Sequence, residues 1–145
     1  EAAQPDFGDY QKRIVKNAKA LADGMTKRGI KLLSGGTDNH LMVVNLRSTP
    51  VSGRQLEQAL DRVGITTSRS TVPFDERKPF DPSGVRLGTP ALTTRGMGTS
   101  EMDRIADIIA RMIEKVDDES VAREARKQVE QMCAAFPLYP GLIYS

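Results

Sequence analysis

One arginine in the second half of the chain has a spacing that suits anion binding. The segment SGVRLGTP, residues 83–90, sets Arg86 between Val85 and Leu87. Because side chains alternate along a β-strand, a core that buries Val85 and Leu87 turns Arg86 to the opposite face. A guanidinium there can hold a carboxylate or a phosphate through two parallel hydrogen bonds. Arg86 is therefore the first candidate binding residue; the structural alternative is a solvated or salt-bridged strand arginine.

The backbone around this arginine also has an unusual composition. Gly84 and Gly88 flank it, and we expect them to let the strand pass close to another domain or a ligand. The preceding residues, 68–83, contain three prolines and so predict an ordered loop instead of a regular element. A loop of this length in a small domain is often functional. It is interpreted either as a ligand lid or interface segment, or as a surface connection pinned by its prolines.

The other residues that could do chemistry favour structural roles. SGGTDNH, residues 34–40, has the adjacent glycines of a phosphate loop but not its GxxxxGK[ST] pattern, so a tight turn stabilised by Asp38 and Asn39 is favoured. The single His40 and single Cys133 cannot form a Cys/His zinc cluster. His40 is predicted to be a packed or hydrogen-bonded residue, and Cys133 a small buried hydrophobe. No metal ligands are expected.

Composition limits the class of protein. The 145 residues predict a single domain over 1–145, and 39% hydrophobic with 28% charged residues is ordinary for a globular protein. The net charge of +2 is dispersed and Trp is absent, which gives little support to a nucleic-acid surface. No apolar run is long enough to span a membrane. The lack of a signal-peptide pattern and the lone cysteine favour the cytoplasm.

Hydrophobic periodicity predicts the elements that position Arg86. Helices are predicted over a first segment ended by Gly29, from a Ser52 cap to Gly64, over 91–95, from a Ser100 cap to about Val116, and over about 119–136. Strands are predicted at 30–33, at HLMVVNL (40–46) as the central strand, from Ile65, and at 85–87. Together they predict an α+β two-layer sandwich with a small, mainly antiparallel sheet covered on one face by helices. What covers the other face is left open.

Four segments resemble a known family in the same order. SGGTDNHLMVVNL, TVPFDERKPF, SGVRLGTPALTTRG and AAFPLYPGL resemble the C-terminal part of serine hydroxymethyltransferase, over Asp6 to Leu142. The family belongs to the fold-type I pyridoxal-phosphate enzymes, in which a small C-terminal domain packs on a large cofactor domain. The resemblance implies that the large domain, with its cofactor lysine, is not in this chain. It further implies a homodimeric parent that uses pyridoxal phosphate and tetrahydrofolate, and a fragment that is inactive alone.

The resemblance also implies roles for individual residues. Arg86 occupies the arginine position of the family's S-G-[IV]-R motif, which holds the carboxylate of the substrate amino acid. Lys78, Pro79 and Phe80 match a segment that helps to hold folate, although Lys78 replaces a small residue. Ser70 stands where many members have a folate-contacting asparagine. No catalytic residue is expected in this chain.

Two other classes of function remain open from the residues alone. The chain could be a free-standing small-molecule-binding or regulatory module that uses Arg86 to hold an acidic ligand. It could also be a dimerisation module, because a sheet with one uncovered face offers an interaction surface.

Overall fold

Helices and a small antiparallel sheet form a two-layer α+β fold, as the sequence predicts. The computed structural model describes residues 5–33, 41–70, 72, 75–77, 81–88 and 96–136. The predicted short helix at 91–95 lies outside these residues. The described elements are helices α1 (Pro5–Lys27), α2 (Gly53–Arg62), α3 (Thr99–Glu114) and α4 (Glu119–Ala135), and strands β1 (Leu41–Asn45), β2 (Ser68–Ser70) and β3 (Gly84–Gly88).

Strand β3 lies at the centre of the sheet. The three strands have the order β1-β3-β2, and both pairings are antiparallel. The prediction that the stretch around β1 is the central strand is wrong, because both edges of β3 are paired. Arg86 and the terminal glycines make β3 less apolar than β1, and this hid its position. The predicted strand at 30–33 contributes an isolated antiparallel bridge between Leu32 and Val44.

Capping interactions define where the helices begin. Helix α2 has the predicted capping box: the Gln55 N–H donates to Ser52 Oγ at 3.2 Å, and the Ser52 N–H donates to Gln55 Oε1 at 2.9 Å. Helix α3 begins at Thr99, and its N-cap is Gly98, two residues before the predicted cap Ser100. The Gly98 N–H donates to Glu101 Oε1 at 2.8 Å, which moves the helix start to this position. Asp118 caps α4 through Oδ1.

The core lies between the helices and one face of the sheet. Alternate residues of β1 and β3 point into it, α1 and α2 pack on them, α3 packs on α1 and α2, and α4 packs on α3 and α2. Burial of these side chains supplies the main stabilising term of the fold. The sheet and helix residues that are at most 4% exposed include Met42, Val44, Val85, Leu21, Met25, Leu56, Leu60, Met102, Ile109 and Met132.

Polar contacts join α1 to α3 beyond the core. Arg28 donates to both carboxylate oxygens of Asp103, at 2.9 and 3.2 Å, and its Nε lies 3.5 Å from Asp107 Oδ1. The amide of Asn17, 3% exposed, donates to the Met97 carbonyl at 3.0 Å. The Arg28 contacts fix the end of α1 against α3, and the Asn17 contact fixes the middle of α1 against the segment before α3. Among the residues with a described structure, no helix is both long and apolar enough to cross a membrane.

Gly53, the first residue of α2, packs directly on the backbone that leads into β3. A Cβ at this position would overlap the Gly84 carbonyl oxygen and lie 2.8 Å from that of Pro82. The Gly53 N–H donates to the Pro82 carbonyl at 2.6 Å. The absence of a side chain therefore lets α2 and β3 approach each other.

We expect Gly53→Ala to lower the free energy of unfolding by about 1–3 kcal/mol, because backbone atoms must move to admit the methyl group. Urea denaturation of the purified chain measures this. Gly98→Ala is the matched control, since a Cβ there would be 3.6 Å from Glu101 Oε1, an ordinary contact. Equal stability of the two variants would contradict the proposed close packing.

Candidate functional site

The structure places Arg86 on the sheet face that points away from the helices. Val85 is fully buried and Leu87 is 8% exposed, whereas Arg86 between them is exposed. The alternation predicted from the sequence is thus confirmed. Arg86 occupies the middle of β3, so strands on both sides restrain its backbone.

The neighbours of Arg86 on this open face are small or uncharged. The Cα partners of Arg86 are Val43 in β1 and Ser68 in β2. Ser70, a predicted folate residue, pairs with Gly84 and therefore belongs to the same face, diagonal to Arg86. The other predicted folate residues, Lys78, Pro79 and Phe80, lie outside the described residues.

The guanidinium of Arg86 has no ion-pair or hydrogen-bond partner within the described part of the chain. Its alternative interpretation as a salt-bridged strand arginine therefore has no support there. Other described arginines do pair: Arg69, next along β2, lies 2.7 Å from Glu57 Oε1. A guanidinium that is exposed on a restrained strand, and that pairs with none of the described residues, can donate to a carboxylate or a phosphate without first breaking a contact to them.

The loop before β3 is tied down by one carboxylate. Asp75 Oδ2 accepts from the N–H of Ser83 at 2.8 Å and from that of Val72 at 3.3 Å. Oδ1 accepts from the Arg77 N–H at 2.9 Å and from the Ser83 hydroxyl at 2.8 Å. Four hydrogen bonds thus converge on a single side chain. They agree with the predicted loop at its described residues 72, 75–77 and 81–83. Residues 68–70, which were predicted to belong to the loop, instead form strand β2, and residues 65–67, predicted to start that strand, lie before it.

These hydrogen bonds change the acidity of Asp75. Desolvation raises the pKa of its carboxyl group, but the hydrogen bonds from Ser83, Arg77 and Val72 outweigh desolvation. The net result lowers the pKa of Asp75 from 3.8 to about 2. The residue is therefore an anion throughout the neutral range.

Arg77 connects the same loop to the segment after β1. Its Nη1 donates to Ser83 Oγ at 2.9 Å, and its Nη2 donates to the Thr49 carbonyl at 2.9 Å. The sequence reasoning did not single out Asp75, Arg77 or Ser83. The available signal was the Asp-x-Arg spacing, since an aspartate that accepts from the N–H two residues later is typical of an Asx turn.

The glycine at the start of β3 allows close packing within this chain. A Cβ on Gly84 would lie 2.5 Å from the Ser70 carbonyl oxygen and 2.8 Å from Cγ1 of Val72. Val72, 6% exposed, therefore packs on the open face next to Gly84. We expected Gly84 to allow a close approach of another domain or a ligand. In the structure, Ser70 and Val72 of the same chain make that close approach.

Other described surfaces provide weaker candidates for a site. A cleft of about 700 Å³ lies between α2 and the turn before α4, away from Arg86, and two of its charged residues, Arg69 and Glu57, already pair. In the described ranges, no three His, Cys, Asp or Glu side chains gather closely enough to hold a metal ion. Cys133 is half-buried against the core. His40 and its glycine-rich segment lie outside the described residues.

The lowered pKa of Asp75 predicts how stability depends on acid. A carboxyl whose pKa is lower in the folded state stabilises the fold above its unfolded pKa of about 3.9, and this contribution is lost as the pH falls through the folded value. We expect the difference in unfolding free energy between the wild type and Asp75→Asn to shrink by about 1–2 kcal/mol from pH 4.5 to pH 2.5.

Urea titrations at several pH values measure this difference. The control is Glu76→Gln, which removes an exposed carboxylate one residue away. A difference between wild type and Asp75→Asn that stays constant over this range would contradict the role given to the carboxylate.

A comparison with family models matches the part of the chain that contains Arg86. The model described as serine hydroxymethyltransferase matches residues 1–109, which include all three strands, the Asp75 loop and Arg86. The match covers about three quarters of the chain and extends through most of α3. The chain therefore belongs to the serine hydroxymethyltransferase family.

Proposed function

We propose that this chain is the C-terminal domain of a serine hydroxymethyltransferase and contributes the arginine that binds the substrate carboxylate. The parent enzyme would interconvert serine and glycine, with transfer of a one-carbon unit to tetrahydrofolate. The observation that carries the proposal is the exposed guanidinium of Arg86 at the centre of the sheet, which has no partner among the described residues. Membership of the family supplies the reaction, since such enzymes act on amino acids.

Arg86 would act by binding and orienting the substrate. Two parallel N–H donors of a guanidinium match the two oxygens of an α-carboxylate. Once the carboxylate is fixed, the remaining bonds at the substrate Cα have a defined direction, and this is catalysis by positioning. The pairing of β3 on both sides holds the Arg86 backbone in place for that role.

The pyridoxal phosphate implied by the family carries a phosphate group of the kind that helix N-termini commonly bind. In the described residues, side-chain caps from Ser52 and Asp118 occupy the N-termini of α2 and α4, and Glu101 places a carboxylate at that of α3. We therefore propose that the cofactor is held by a large domain elsewhere in the enzyme, which covers the open face of the sheet. On this basis the chain alone would be inactive.

The folate substrate would approach the same face. Ser70 is diagonal to Arg86 across β2 and β3, and residues 78–80 follow directly on Arg77 in the sequence. Ser70, Lys78, Pro79 and Phe80 are accordingly proposed as folate contacts. We also propose that the parent enzyme is a cytoplasmic homodimer.

The exposed Arg86 also supports a second function. A sheet face with a guanidinium that pairs with none of the described residues would suit a free-standing domain that binds an acidic small molecule and catalyses no reaction. The two functions differ in what the chain can bind without a large domain, and calorimetry separates them.

We expect Arg86→Lys in the full-length enzyme to lower kcat/KM for serine about 10- to 100-fold, because a lysine cannot form the paired hydrogen bonds of a guanidinium. Steady-state kinetics measure the loss. Arg47→Lys makes the same exchange at an exposed arginine after β1 and should keep the wild-type rate. Turnover of Arg86→Lys close to wild type would refute the role of Arg86.

For residues 1–145 alone, we expect no measurable heat of binding on titration with glycine. A single charge-assisted contact does not offset the entropy lost when a free ligand is immobilised. Isothermal titration calorimetry makes the measurement, with succinate as a second acidic ligand. Tight binding of either compound would favour the small-molecule-binding module over the enzyme domain.

A further inference from the structure

We propose that Asp75 is a positioning residue for Arg86, which it controls through Ser83 and the start of β3. The inference rests on the proposed function, since it concerns how Arg86 is held for binding a carboxylate. It assigns a role to a carboxylate that accepts four hydrogen bonds from described loop residues, none of which is Arg86.

Strand β3 needs restraint from outside its own sequence. It has five residues, and glycine, which weakens strands, occupies both ends. On one side its ladder with β2 consists of only three residue pairs. A slip of one residue would move Arg86 toward the core and Val85 to the open face. Whatever fixes the register at the start of β3 therefore fixes the direction of the guanidinium.

Ser83 provides this fixed point immediately before β3. Its N–H and its hydroxyl both donate to Asp75, each at 2.8 Å, and its carbonyl accepts from the Leu46 N–H at 2.7 Å. The residue is 2% exposed. Its backbone and side chain are thus held together, and Asp75 accepts two of the four hydrogen bonds that Ser83 makes, the fourth being to Arg77.

Arg77 completes the restraint from the other side of the Ser83 hydroxyl. That hydroxyl donates to Asp75 and accepts from Arg77 Nη1 at 2.9 Å, so a carboxylate and a guanidinium are joined through one oxygen atom. Arg77 in turn donates to the Thr49 carbonyl between β1 and α2. The start of β3 is therefore tied to the segment that leads from β1 into α2.

The carboxylate of Asp75 is specifically required by this geometry. Its two oxygens accept four hydrogen bonds, two at each oxygen. An asparagine of the same shape offers one oxygen and one NH₂ group, so two of the four donors would face another donor. Asp75→Asn is therefore expected to loosen Ser83 without changing the size of the side chain.

The test uses the full-length enzyme and compares inhibition by glycine with inhibition by glycinamide, which lacks the carboxylate. We expect the ratio of their inhibition constants to favour glycine strongly in the wild type and to fall about 10-fold in Asp75→Asn. Glu76→Gln should leave it unchanged, since that exposed carboxylate accepts none of these bonds. Hydrogen–deuterium exchange of residues 83–88 should be faster in Asp75→Asn alone.

A loss of thermal stability in Asp75→Asn with an unchanged ratio, measured below its melting temperature, would overturn the positioning role. If Asp75→Asn does not fold, Ser83→Ala removes only the shared hydroxyl and should lower the ratio in the same direction; an unchanged ratio there overturns the inference as well. A different result would contradict the proposed function itself. If Arg86 does not bind the carboxylate, Arg86→Lys would leave the preference for glycine over glycinamide at its wild-type value.

Discussion

The alternation of side chains along a five-residue strand is the constraint on which the rest of this structure depends. Strand β3 must bury Val85 and Leu87 under the helices and present Arg86 on the opposite face. Only one residue, a glycine, lies beyond these three at each end of the strand. The helices α1, α2 and α3 define the inner face, while the loop before β3 sets where the alternation begins. The side chain that we propose for binding is thus part of the folding pattern of the sheet.

Two kinds of interaction maintain this alternation. Burial of Val85 and Leu87 stabilises the register in which both side chains face the helices. This stabilisation is spread over several neighbours and tolerates small shifts. The hydrogen bonds between Asp75 and Ser83 are directional and act at one point. Close packing of Gly53 on the carbonyl groups of Pro82 and Gly84 adds a steric limit from α2. Together they specify a single register for the central strand.

Much of the fold could be predicted from the sequence because its local signals are strong. Two of these signals lie within short stretches of sequence, where prediction is most informative. They are the capping box of Ser52 and Gln55 and the apolar periodicity of α1 and α4. The outward direction of Arg86 followed from its two apolar neighbours. The family could be recognised from ordered motifs along the chain.

The order of the strands and the supporting residues of the site were harder to predict. Strand β3 is central although its glycines and arginine make it look peripheral, because strand order depends on pairing across long sequence distances. The start of α3 shifted to Gly98 because a glutamate three residues later can accept its N–H. Asp75 was missed because its partners, apart from Arg77, are defined by the path of the loop and not by a recognisable spacing.

The hydrogen bonds that anchor this loop let some of its residues change without affecting Arg86. Arg77 and Ser83 are anchored on either side of positions 78–80, so a side-chain substitution at those positions leaves both anchors in place. Lys78, where the resemblance to the family implies a small residue, is one of these positions. Under the proposed function, a lineage could therefore alter which large second substrate it binds, one residue at a time, while its recognition of amino acids remained intact.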